Sequence, residues 1–132
     1  MDYRLNFSLN ETGYSAEFEF GKLTVSGDET AGFRPYQLMI ASIAGCSGGV
    51  LRKILKKQRL EIQDIQIDVR VTRSDSQVKR IESIHMHFII SGANLNETKI
   101  GKAASLARKY CSMVQSVRGC ITITESFEVL AA

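Results

Sequence analysis

Hydrophobic and polar residues alternate along most of the first 26 positions, which is typical of half-buried β-strands. One run carries Leu5, Phe7 and Leu9 on its apolar side, and a second follows the turn at residues 10–13. The apolar side of this second run consists of Ala16, Phe18 and Phe20. A third, shorter strand is predicted over residues 23–26. This part of the chain is therefore predicted to form a small sheet.

From Tyr36 to about Arg59 the apolar residues instead keep helical spacing. Pro35 suits the first turn of such a helix, because its missing N–H would have no intrahelical partner there. Polar residues crowd into the second half of the segment. We therefore expect the first half, which contains Cys46, to be buried nearly all round, and the Lys/Arg-rich end to reach solvent.

Two further runs of period two, residues 65–71 and 84–90, flank a polar turn and predict an antiparallel hairpin. Asn94 and Glu97 have the spacing of a helix cap, and the helix is predicted to run to about Ser116. A last strand follows at residues 121–129. The element order predicts an α+β fold with antiparallel sheets and two long central helices, in a single domain over residues 1–132.

Composition narrows the possible partners. At 132 residues and 44% hydrophobic content, the chain can form one core but buries only about two thirds of its surface alone, so a homodimer is expected. The 17 basic and 14 acidic residues are mostly dispersed, and the cluster at residues 52–59 is typical of a solvated helix face. We therefore predict no nucleic-acid partner.

The three cysteines cannot all pair within one chain, and the first residues lack the apolar core of a signal peptide. No run of 18 apolar residues predicts a membrane span. We therefore expect a cytoplasmic location and no membrane partner. In that compartment a disulfide would be transient, and catalytic or sensory in role.

Cys46 and Cys111 lie in similar apolar settings on two different predicted helices. They could be inert packing, since buried cysteine is mostly unreactive, or a pair that cycles between dithiol and disulfide. Cys46 lies about three turns into its helix, too far for the helix dipole to lower its pKa much. The candidate activating groups are therefore cations: Arg34, Arg52 and Lys53 for Cys46, and Arg108 for Cys111.

Gly45, Gly48 and Gly49 surround Cys46, although each glycine inside a helix costs roughly 1 kcal/mol relative to alanine. Either another backbone packs closely there, or a substrate approaches the sulfur. Cys120 is interpreted as structural filler. His85 and His87 share one strand face without an evident third ligand, so neither a metal site nor a cofactor is predicted.

Two segments carry a family resemblance. Residues 35–38 with Ala41 and Ala44-Gly45-Cys46, and residues 107–112 around Cys111, resemble the two cysteine motifs of the osmotically inducible protein C / organic hydroperoxide resistance (OsmC/Ohr) family, in its YhfA-like branch. The resemblance covers nearly the whole chain and implies the fold of that family, an intertwined homodimer with sites at the interface.

The resemblance also implies a chemistry. Cys46 would be the peroxidatic thiolate that attacks a small-molecule hydroperoxide and becomes a sulfenic acid, and Cys111 would be the resolving thiol. An external dithiol reductant would then reduce the disulfide. Such a protein would be a cysteine-dependent peroxidase acting in oxidative stress. Arg34, Tyr36 and Gln37 are the candidate substrate-binding residues.

Some family features are absent. Tyr36 stands where the peroxidases carry glutamate, and Gln37 is not acidic either. Between Arg4 and Arg34 the chain has no arginine to serve as the activating residue of the N-terminal strands. Ser112 replaces the usual proline after the second cysteine. Two alternatives therefore stay open: a non-enzymatic thiol redox sensor, and a carrier of a small apolar ligand.

Overall fold

The computed structural model describes residues 2–131 and divides the chain into two compact units, one ending at Ala41 and one beginning at Ser42. The first unit holds a three-stranded antiparallel sheet in the order β1-β2-β3. Its strands are β1 (Ser8–Leu9), β2 (Gly13–Glu17) and β3 (Lys22–Ser26). A long helix, α1 (Pro35–Lys57), begins in this unit and continues into the second.

The first two strands are shorter than their alternation predicts. A turn in which the backbones of Phe18 and Gly21 hydrogen-bond to each other ends β2 early. Phe20 therefore lies in the turn and is fully exposed, and Leu9 is 77% exposed. The expected half-buried apolar face is wrong at both positions: the turn removes Phe20 from the strand, whereas Leu9 lies within β1 and is exposed there.

The second unit holds a three-stranded sheet in the order β4-β5-β6. Its elements are β4 (Glu61–Arg73), β5 (Ile81–Ala93), α2 (Glu97–Tyr110), α3 (Ser112–Ser116) and β6 (Thr122–Ala131). Strands β4 and β5 form the predicted antiparallel hairpin. Strand β6 pairs parallel to β5, which corrects the expectation of wholly antiparallel sheets. The α+β class itself is confirmed.

The core of the second unit lies between one face of this sheet and the helices. The buried face of β5 is formed by Ile84, Met86, Phe88 and Ile90. On the helices, the buried positions recur every three to four residues, as expected for one-sided packing: Ile43, Ser47, Leu51 and Leu55 on α1, and Ile100, Ala103 and Ala107 on α2.

Helix α1 therefore buries only one stripe of its surface. The prediction that its first half is buried nearly all round is wrong. Met39 is 40% exposed and Cys46 is half-buried. By length and composition alone α1 could cross a membrane, although no apolar run had predicted a span. The core helix of a water-soluble protein meets the same criterion.

Two details of the second long helix differ from the prediction. Its N-cap is Asn96, whose side chain accepts a hydrogen bond from the Lys99 N–H, and Asn94 instead adopts φ +56°. The helix also does not run unbroken to Ser116. It stops at Tyr110 and resumes at Ser112 as α3, with Cys111 between the two segments.

Candidate functional site

Cys111 is the point at which the second long helix breaks. With φ −78° and ψ 110° it is extended, so it is both the C-cap of α2 and the N-cap of α3. Its sulfur accepts a hydrogen bond from the Val114 N–H at 3.5 Å. The Arg108 carbonyl would accept from Ser112 in a continuous helix, and here it accepts from the Gln115 side-chain amide at 3.2 Å. Side chains thus replace backbone hydrogen bonds at the break.

Cys46 lies on α1 against the start of α3. Its sulfur is 3.7 Å from the Ser112 hydroxyl oxygen, and the backbone N–H groups of Ser112 and Met113 donate to it. These are the first N–H groups of α3, which have no acceptor within their own helix. The Cys46 and Cys111 thiols also influence each other's pKa. The two candidate redox cysteines therefore lie close enough to interact.

The two thiols have opposite pKa shifts. Burial raises the pKa of Cys46, but hydrogen bonds from Met113, Cys111 and Ser112 outweigh it, so that the net pKa is lowered. For Cys111, burial raises the pKa, and the hydrogen bond and negative charge of Cys46 raise it further. Cys46 is half-buried and Cys111 fully buried. The pair therefore consists of one accessible, acidic thiol and one enclosed thiol that stays protonated.

The groups that lower the Cys46 pKa differ from those expected. Among the described residues of the second unit, no lysine or arginine contributes to the shift, so the predicted activation by Arg52 or Lys53 is wrong; activation by Arg34 stays a prediction. All the favourable contributions are hydrogen bonds from the α2–α3 junction. The sequence could not indicate the two backbone donors, Ser112 and Met113, since they are released by a helix break that the apolar spacing does not show; the other two donors are the Cys111 thiol and the Ser112 hydroxyl.

The three glycines around Cys46 have different surroundings. A methyl group at Gly48 would lie 2.7 Å from the Ile67 δ-methyl, so this glycine admits a side chain of β4. Methyl groups at Gly45 and Gly49 would meet nothing within 4 Å. These two glycines line an open groove of about 770 Å³ together with Arg52, Lys56 and apolar residues of β4. Close packing thus explains one glycine, and open space adjoins the other two.

The candidate substrate-binding residues lie in the first unit. Arg34 donates to the Tyr36 hydroxyl and stacks over its ring at 4.8 Å. It also pairs with Glu29 at 3.7 Å, while Gln37 is exposed. Tyr36 thus does hold an arginine, through a hydrogen bond and its ring face instead of a carboxylate. Their role in binding substrate stays a prediction.

The histidine pair is bound by hydroxyl groups of β6. His85 contacts Thr124 at 2.7 Å and Ser126 at 2.9 Å, and His87 contacts Ser126 at 2.6 Å. His87 also lies 3.5 Å from Glu128. Residues 2–131 contain no group of three side chains placed to bind a metal ion. Cys120 is exposed, so its interpretation as packing filler is wrong.

Sequence reasoning missed Glu125, which interrupts the apolar face of β6 between Ile123 and Phe127. One of its carboxylate oxygens is buried without a hydrogen-bond partner among the described residues. Burial raises the pKa of this carboxyl group, and the nearby Arg108 charge opposes the shift. A carboxylate at an apolar strand position was the available signal, because such a residue should perturb the core.

The two sheets, the long helices and the interaction between the Cys46 and Cys111 thiols define a class of small α+β proteins with paired cysteines. A family model described as OsmC-like protein matches residues 26–126. The chain belongs to the OsmC-like family, which confirms the resemblance seen in the sequence.

The relatives agree with this membership. Protein YhfA of Escherichia coli K12 is 31% identical over 108 residues, 81% of this chain and 79% of YhfA. The organic hydroperoxide resistance protein OhrB of Bacillus subtilis is 26% identical over 92 residues, 70% of this chain and 67% of OhrB. The crystal structure of a hypothetical protein from Aquifex aeolicus VF5 superposes with a TM-score of 0.88 at 27% identity, covering 100% of this chain and 99% of that one.

Proposed function

We propose that the protein is a cysteine-dependent peroxidase that reduces organic or hydrogen peroxides. The family and its hydroperoxide-resistance relative support a redox or peroxide-related role. The observation that carries the finer assignment is the pairing of the accessible Cys46, whose pKa is lowered, with the buried Cys111, whose pKa is raised. Peroxide reduction needs one thiolate as nucleophile and one nearby thiol to resolve the product.

The proposed reaction has three steps. The Cys46 thiolate attacks one peroxide oxygen, the O–O bond breaks, and the departing alkoxide takes a proton, which leaves Cys46 as a sulfenic acid and releases an alcohol. The Cys111 sulfur then attacks the Cys46 sulfur; a disulfide forms and the hydroxyl leaves as water with the thiol proton. An external dithiol returns both cysteines to thiols and is itself oxidised to a disulfide.

The site favours this division of roles. Donors that lower the pKa of Cys46 increase the thiolate fraction available for attack at neutral pH. Cys111 is fully buried and its thiol interacts with that of Cys46, so it is kept from competing as a nucleophile and lies close to the sulfur that it must attack. Arg34, Tyr36 and Gln37 are assigned to substrate binding as part of this proposal.

A slower redox sensor is the second candidate. It is favoured by one observation: the Cys46 shift comes from hydrogen bonds alone, without the cation that the family resemblance implies. In such a sensor the same two thiols would form the same disulfide, but too slowly for turnover. Rates, and not products, separate the two functions.

The experiment is single-turnover oxidation by cumene hydroperoxide or hydrogen peroxide, followed by mass spectrometry with a sulfenic-acid trap. For a peroxidase, we expect a Cys46–Cys111 disulfide within seconds of adding a stoichiometric amount of peroxide. Cys111→Ser should accumulate trapped Cys46 sulfenic acid, and Cys46→Ser should show neither product. Cys120→Ser is the matched control and should behave like the wild type. Oxidation over many minutes would favour the sensor, and unchanged oxidation in Cys46→Ser would refute the nucleophile.

We also propose that the protein is a homodimer in the cytoplasm, where reducing conditions keep both thiols ready for reaction. The first unit exposes large apolar side chains that a second copy would cover: Tyr3, Leu9, Phe20 and Phe33 are 60% to 105% exposed. Sedimentation at micromolar concentration should give a dimer whose dissociation coincides with unfolding. A stable folded monomer would contradict this.

A further inference from the structure

A second cavity lies in the second unit, formed by the end of α2, α3 and the start of β6. Its volume is about 560 Å³, within the range of small-molecule sites. Three of its lining residues are cationic, namely Arg108, Lys109 and Arg118, and no aspartate or glutamate lines it. The chain as a whole has a net charge of only +3. Positive charge is therefore concentrated at this cavity.

The three cations are held to different degrees. The Arg108 guanidinium donates to the Ile123 carbonyl at 2.6 Å and interacts with the Glu125 charge. The Lys109 ammonium lies 5.6 Å from the centre of the Tyr110 ring. Among residues 2–131, no acidic side chain forms an ion pair with Lys109 or Arg118. These two residues therefore keep charge available for a ligand.

The remaining lining of the cavity includes an apolar floor. Val114, Ile121 and Ile123 are 4%, 8% and 5% exposed and line the cavity. A fully hydrated ion such as free phosphate would gain little from that floor, whereas an apolar body would be removed from water there. The combination of cations and apolar residues thus fits an amphipathic anion.

We propose that this cavity binds a small amphipathic anion, with its carboxylate or phosphate head between Lys109 and Arg118 and its apolar body against Val114 and Ile121. Arginine and lysine both form charge-assisted hydrogen bonds with such head groups. The site does not depend on the proposed peroxidase function, because neither Cys46 nor Cys111 lines the cavity.

The cavity nevertheless adjoins the helix break. Gln115, whose amide donates to the Arg108 carbonyl across the break, lines the cavity together with Arg108. A bound anion would therefore contact the two residues that support the position of Cys111. Binding should be visible in the backbone signals of the α2–α3 junction.

The test is an NMR titration of the ¹⁵N-labelled full-length protein with octanoate and with octyl phosphate, which distinguish the two head groups. Neutral 1-octanol tests the need for charge, and inorganic phosphate tests the need for the apolar body. We expect saturable shifts confined to residues 105–123 with at least one amphipathic anion. The double variant Lys109→Gln/Arg118→Gln should bind at least tenfold more weakly. The control, Lys56→Gln/Lys57→Gln, removes two cations from the exposed end of α1 and should bind like the wild type.

Three results would overturn the proposal. The first is no saturation by either amphipathic anion up to about 10 mM. The second is equal affinity for 1-octanol or for inorganic phosphate, which would remove the need for the head group or for the apolar body. The third is unchanged affinity in Lys109→Gln/Arg118→Gln, or an equal loss in the control variant, which would make the effect one of general charge.

Discussion

Replacing Ser112 with alanine tests how the thiol pair is activated. The substitution removes one hydroxyl donor to the Cys46 sulfur and leaves the backbone donors of Ser112 and Met113 in place. At 3.7 Å the contact is long even for sulfur, so we take its net worth as about 0.5–1 kcal/mol. Because that donor favours the thiolate, its loss should raise the pKa of Cys46. The thiolate fraction at neutral pH should fall about two- to fivefold.

The assay is the rate of iodoacetamide alkylation at Cys46 between pH 5 and pH 10, with the modified site identified by mass spectrometry. Ser112→Ala should react about two- to fivefold more slowly than the wild type near pH 7. It should approach the wild-type rate at high pH, where Cys46 is ionised in both proteins. Ser116→Ala is the matched control on the same helix, and exposed Cys120 is an internal reference. An unchanged pH profile in Ser112→Ala, or an equal change in Ser116→Ala, would refute the hydrogen-bond account.

Three further predictions concern stability. Burial raises the Glu125 pKa, so the charged form of this side chain destabilises the fold at pH values above its ordinary pKa of 4.5. Glu125→Gln should therefore raise Tm at pH 7, and the gain should fade as the pH falls towards 4.5. The control, Glu61→Gln at an exposed position, should change Tm little. Gly92→Ala should cost about 1–3 kcal/mol in urea unfolding, since its methyl group would lie 2.1 Å from the Glu61 carbonyl oxygen. Gly48→Ala should be nearly neutral, because the Ile67 δ-methyl can rotate away at about 0.5–1.5 kcal/mol and alanine regains about 1 kcal/mol of helix propensity. A neutral Gly92→Ala or a severe Gly48→Ala would contradict the observed packing.

The fold was predictable where one physical requirement dominated a segment. The alternation at residues 65–71 and 84–90 located the hairpin, since a sheet with one buried face requires period two. The direction of β6 was not predictable, because alternation is the same for parallel and antiparallel pairing. The prediction of Phe20 in a strand was wrong because its apolar character fits a strand, whereas the turn in which it lies depends on backbone hydrogen bonds.

The sequence indicated the two cysteines of the candidate site but not the groups that surround them. The motifs indicated Cys46 and Cys111, and the two thiols lie close enough to influence each other's pKa. The helix break at Cys111 was not predictable from the sequence, because the helical spacing of apolar residues continues past it. What stabilises the break is a side-chain amide on the Arg108 carbonyl and a thiol on the Val114 N–H. Gln115 and Cys111 are both compatible with an unbroken helix, so the tertiary structure determines whether the helix breaks.

This break links the fold to the chemistry. An unbroken helix would direct the N–H groups of Ser112 and Met113 to its own carbonyls, and Cys46 would face no free donor. Interrupting the helix at Cys111 releases those N–H groups towards Cys46 and places the second thiol beside the first. Backbone donors do not titrate and are not weakened by salt as exposed ion pairs are. The chain can therefore lower the pKa of Cys46 without a cation beside it, so the absence of the expected arginine and glutamate does not by itself make Cys46 an ordinary thiol.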